Sequence, residues 1–101
     1  AHITGGGITE NLPRIIPSGH AAYIELNKLK IPSIFNYIQQ QANISDEEML
    51  KTFNCGVGMI AIINKDSLDK AHKIFKANRC AYKIIGHIIK SPSQKKIIYA
   101  D

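Results

Sequence analysis

The chain has 101 residues and a mass of 11.2 kDa, and it is 45% hydrophobic and 21% charged. That balance excludes a disordered segment and fits one small domain with a single core. A net charge of +5 would suit nucleic acid, but the lysines are scattered from Lys28 to Lys96 with no basic stripe, so no nucleic-acid partner is expected.

The chain opens AHITGGGITENLPRIIP. Gly5, Gly6 and Gly7 lack the Cβ that restricts φ, so the triplet is either a plain loop or a backbone segment that must approach a ligand closely. Pro13 and Pro17 allow at most one helical turn, around Glu10 to Arg14, with Thr9 as its N-cap. His20 to Leu26 alternates and predicts a half-buried strand. Ile34, Phe35, Ile38 and Ala42 recur at helical spacing after Pro32 and predict a helix from Ser33. Ser45 to Glu48 matches a capping box and opens a short helix.

Gly56 to Ile63 is apolar on both faces, the pattern of a central strand covered by helices. A turn at Asn64–Ser67 leads into a helix with a buried stripe of Leu68, Ala71, Ile74 and Phe75. Tyr82 to Lys90 and Lys95 to Ala100 read as strands paired in a hairpin through Ser91–Gln94. The expected fold is therefore α+β, or layered α/β, with a mixed sheet of about four strands, flanking helices and a partly ferredoxin-like character.

Cys55 and Cys80 form no CxxC pair and have no histidine at ligand spacing, so both are read as reduced thiols and no metal is expected in this segment. The longest apolar run, Met59 to Ile63, is too short to cross a bilayer, and no leader-like stretch precedes it. A soluble, cytoplasmic protein without a membrane partner is expected. The absence of an initiating methionine suggests a piece of a longer chain.

The candidate site starts from the glycine loop. Thr4 brings a hydroxyl, the glycines allow backbone approach, and Arg14 offers a charge to an anion. The spacing matches neither a P-loop nor GxGxxG, so the residues alone leave an anion site and a plain loop level. In TFNCGVGM, Gly56 and Gly58 mark a bulge, a close backbone approach, or room for a helix. His2 is the one candidate acid, base or phosphate donor, and no catalytic residue is otherwise evident.

Read together, HITGGGITENLPRIIP, IPSIFNYIQQQANISDEEMLKTFNCGVGM and AYKIIGHI resemble the C-terminal domain of phosphoribosylformylglycinamidine cyclo-ligase, or aminoimidazole ribonucleotide synthetase. The resemblance is ordered and covers nearly the whole chain. It implies a single C-terminal domain over 1–101, with an ATP-binding N-terminal domain outside it. It also implies a ligase of purine biosynthesis that uses ATP to phosphorylate the amide oxygen of formylglycinamidine ribonucleotide. The neighbouring nitrogen then closes the ring and expels phosphate, giving aminoimidazole ribonucleotide and ADP.

Formylglycinamidine ribonucleotide and ATP would be the partners, Mg2+ would be held mainly by the N-terminal domain, and the full-length enzyme would be a homodimer. The resemblance points to His2, Thr4, Gly5, Gly6, Gly7 and Asn11 as substrate- or phosphate-binding residues, with Arg14, Asn54, Gly56 and Gly58 behind them. These residues by themselves would be inactive. The alternatives are a non-catalytic anion-binding or interaction module, or another ATP-using relative such as selenophosphate synthetase, thiamine monophosphate kinase or formylglycinamidine synthase.

Overall fold

A computed structural model describes residues 1–101. Helix α1 spans Gly7–Asn11 and continues as a 3-10 turn, Leu12–Ile15. Ile8, Leu12 and Ile16 recur every four residues across this stretch, and all three are buried. The expected N-cap is displaced, because Gly6 caps α1 with φ +96° and Thr9 lies inside the helix. Pro13 sits in the first positions of the 3-10 turn, where it has no N–H to lose.

Strand β1 (His20–Glu25) lies in the middle of a mixed three-stranded sheet ordered β2-β1-β3. Strand β2 (Gly86–Lys90) pairs with it antiparallel, with His20 opposite Lys90 and Ile24 opposite Gly86. Strand β3 (Ile97–Ala100) pairs with it in parallel, with Ala22 opposite Ile97. The architecture is α+β with a mixed sheet, as expected, but the pairing differs. β2 and β3 are not hairpin partners, since the intervening loop crosses the end of β1. Lys96 Nζ donates to the carbonyls of Ile16 and Pro17 at 3.2 and 2.7 Å there, and Ser91 N donates to Gly19 O at 2.8 Å.

Helix α2 (Ser33–Ala42) and helix α3 (Asp46–Thr52) form where the sequence places them, and Ser45 Oγ accepts from Glu48 N at 3.2 Å. Glu48 does not return the bond; its carboxylate accepts from Thr52 Oγ1 instead. Helix α4 (Leu68–Ala77) also forms, but its stripe is not buried: Ile74 is 51% exposed. The largest departure is Gly56–Ile63, which forms no strand beyond one bridge between His2 and Met59. A central strand needs neighbours on both sides, and these residues have one, Ala1–Ile3, on one side only.

The core gathers Ile3, Ile8, Leu12, Ile24, Met49, Leu50 and Ile97 between α1, α3 and the sheet. No helix is long and apolar enough to cross a membrane.

Candidate functional site

Two motifs that stand apart in sequence meet in space. Ala1–Ile3 runs antiparallel to Gly58–Ile60: Ile3 N donates to Gly58 O at 3.0 Å, Ile60 N to Ala1 O at 2.9 Å, and the Ala1 ammonium to Ile60 O at 2.7 Å. This short ribbon brings the end of Thr4–Gly7 to the end of Asn54–Gly58. A second tie lies at Gly7, which is buried where α1 crosses the C-terminal end of α3, close against the carbonyls of Leu50 and Phe53.

Asn54–Val57 is a tight turn in which Val57 N donates to Asn54 O at 3.0 Å. Cys55 and Gly56 carry φ of 51° and 91°, the positive pair of a type I′ turn. Asn54 Oδ1 accepts from Gly56 N at 2.9 Å, so the Asn54 side chain supports the turn. A Cβ at Gly56 would strike the Pro32 ring, which gives that glycine a structural reason. Gly5 and Gly58 have none: neither has a positive φ, and a Cβ on either would meet open space.

Asn11 is 4% exposed and faces the loop. Its Nδ2 donates to the carbonyls of Gly7, Gly5 and Thr4 at 2.8, 3.1 and 3.3 Å, and its Oδ1 accepts from Thr4 Oγ1 at 3.4 Å. With the carbonyls turned inward, the amides of Gly5 and Gly6 donate to nothing within the chain. His2 and Arg14 are exposed. Arg14 lies on the 3-10 turn without an ion pair, the chain's one salt bridge being Lys28 to Glu25 at 2.9 Å. The structure thus brings together His2, Thr4–Gly7, Asn11, Asn54, Gly56 and Gly58, and does not tie Arg14 to them.

Residues 1–98 match the family model described as AIR synthase related protein, C-terminal domain. The chain belongs to this family. It is 48% identical over 103 residues to the bifunctional purine biosynthetic protein purD of Dictyostelium discoideum, a match covering 98% of this chain and 13% of that protein. It is 47% identical over 77 residues to a phosphoribosylformylglycinamidine cyclo-ligase of Methylobacillus flagellatus, covering 76% of this chain and 22% of that protein. The chain therefore spans a minor part of the length of these relatives.

In this member of the AIR synthase family, Asn11 is the residue that shapes the loop. An aspartate there would present only acceptors to three carbonyls. Asn11→Asp is expected to cost about 3 kcal/mol at neutral pH and Asn11→Ala about 2 kcal/mol, with the aspartate variant partly recovering as acid protonates it. Urea unfolding at pH 7 and pH 4 reads both.

Sequence reasoning missed the support beneath the loop. Thr9 Oγ1 donates to Leu50 O at 3.2 Å and lies 2.7 Å from Tyr99 Oη. No local pattern couples residues so distant in sequence. Burial raises the Tyr99 phenol above its ordinary range, opposed by the Thr9 bond and reinforced by Cys55; burial also raises the Cys55 thiol. Both groups are neutral until they lose a proton, so their contribution is complete below their ordinary values and is lost as pH rises through the raised ones. Stability is expected to be flat to about pH 8 and to fall above about pH 9. Tyr99→Phe should remove the upper part of that fall, as followed by unfolding midpoints across pH.

Proposed function

We propose that these residues supply one wall of the substrate cleft of a phosphoribosylformylglycinamidine cyclo-ligase. The observation that carries this reading is the meeting of Thr4–Gly7 with Asn54–Gly58, at which Gly5 and Gly58 have no structural need to be glycine. Glycine without such a need, beside free amides, suits the close approach of an anionic group.

In the reaction, ATP supplies the phosphoryl group that makes the amide oxygen of formylglycinamidine ribonucleotide a leaving group. The Gly5 and Gly6 amides donate to a phosphate oxygen, and Asn11 holds them outward by binding the loop carbonyls. Thr4 Oγ1, now on Asn11, can turn to the same oxygen. No group of three or more His, Cys, Asp or Glu gathers to hold a metal in these residues, so no step is assigned to a metal here. His2, exposed two residues before Thr4, would donate to the substrate phosphate.

The activity is assigned to the longer protein carrying this domain. Given ATP and formylglycinamidine ribonucleotide, that protein should release ADP and form aminoimidazole ribonucleotide, while the 101-residue chain alone should not. Failure of the longer protein to form product would overturn the assignment, and turnover by the isolated chain would overturn the division of labour.

A further inference from the structure

Glu10 is a carboxylate beside the glycine loop that has no part in the steps described so far. Helical side chains lean toward the N-terminus of their own helix, and Glu10, whose N donates to Gly6 O at 3.1 Å, folds back over the start of α1. A Cβ on Gly6 would stand 2.5 Å from Glu10 Oε2 and 2.9 Å from Glu10 Cβ. Standard backbone dimensions then place that carboxylate oxygen no more than about 5 Å from the Gly6 amide nitrogen. The side chain is exposed and in no ion pair. The hydroxyls nearest to it in sequence are engaged elsewhere, Thr4 with Asn11 and Thr9 with Leu50 and Tyr99.

A carboxylate beside amides that receive a phosphate raises a conflict, since two anions so close repel. A helix N-terminus favours an acid, but any solvated rotamer would serve that purpose. Glu10 instead lies against Gly6, where a Cβ would strike it. The repulsion is relieved when the ligand that brings the phosphate also brings a positive, N–H-bearing group to the carboxylate. Phosphorylated formylglycinamidine ribonucleotide does so through its amidine. The attacking amidine nitrogen comes within about 3 Å of the carbon whose oxygen carries the phosphoryl group, so one small region of substrate needs both an N–H acceptor and phosphate donors.

We infer that Glu10 is the general base of ring closure, and that the phosphate held by the Gly5 and Gly6 amides is the transferred one; the inference rests on the cyclo-ligase reading. As the C–N bond forms at the formyl carbon, the proton of the attacking nitrogen passes to the Glu10 carboxylate. The C–O bond then breaks and its electron pair leaves on phosphate, whose charge the loop amides receive.

The test uses the longer protein that carries this domain. Glu10→Gln keeps the shape of an exposed side chain, so its urea midpoint should match the parent, while kcat for aminoimidazole ribonucleotide falls about 100-fold or more. KM should move by no more than about threefold. In a single turnover, ADP from the phosphoryl transfer should still appear at the parent's rate, which a loss of site shape would not allow. Formate, a small carboxylate, should restore part of the rate to Glu10→Ala and none to Gly5→Val. Turnover of Glu10→Gln at the parent's rate would overturn this role and leave the cyclo-ligase reading standing, whereas a parent that forms no product would overturn both. Loss of ADP formation along with product, or recovery of Glu10→Gln by added Mg2+, would also overturn it, since Glu10 would then be serving the nucleotide or its metal.

Discussion

Gly7→Ala is expected to lower stability by about 3 kcal/mol, read as a fall in the urea midpoint at unchanged slope. Gly7 holds φ at +62°, where an L side chain is strained by about 1–2 kcal/mol. A Cβ there would also press on the carbonyl oxygens of Leu50 and Phe53. These are backbone atoms at the end of α3, so no side chain can swing aside to make room. Relief requires α1 to lift off α3, which stretches the Thr9 bond to Leu50 and opens the core between Ile8 and Leu50. Overpacking of this kind costs about 1–3 kcal/mol, which with the φ strain gives the expected loss. In a domain stable by about 5–15 kcal/mol, that is a large share. Gly5→Ala is the comparison, with a change expected within about 0.5 kcal/mol. Equal losses at the two positions would contradict the close contact at Gly7.

Local signals carried the elements they govern. The alternation of His20–Glu25 marks β1, the spacing after Pro32 marks α2, and Ser45 caps α3 as its side chain requires. What failed depended on neighbours far along the chain. The apolar run at Gly56–Ile63 states that both faces are to be buried, yet only pairing decides whether a strand forms, and beyond the His2–Met59 bridge nothing pairs with it. The hairpin expected from Ser91–Gln94 gave way because β1 sits between the two strands and buries Ala21, Ala22 and Ile24 at the sheet's centre. A short loop therefore spans β1 instead of turning tightly. At the site, the glycines were legible as special but not as different from one another. Gly7 and Gly56 answer to packing, Gly6 to its left-handed φ, and only tertiary contacts and backbone conformation separate these from Gly5 and Gly58.

That separation makes Gly5→Val the most informative change at the proposed site. In the longer protein, kcat/KM for ring closure is expected to fall about 100-fold, while the unfolding free energy stays within about 0.5 kcal/mol of the parent. The position is exposed, its φ is open to any residue, and nothing lies within reach of an added Cβ, so the fold has no ground to object. A phosphate approaching the Gly5 and Gly6 amides would meet the isopropyl group first, and a displacement of about 1 Å is enough for a loss of that size. Gly6→Val would be ambiguous, since φ +96° makes that residue strained in any side-chain-bearing form. Asn11→Ala acts from beneath: it frees the loop carbonyls and should reduce activity and stability together. Activity lost at Gly5 with stability kept is thus the signature of a ligand above the loop. Unchanged kinetics for Gly5→Val would mean that the triplet only carries the chain from the ribbon into α1.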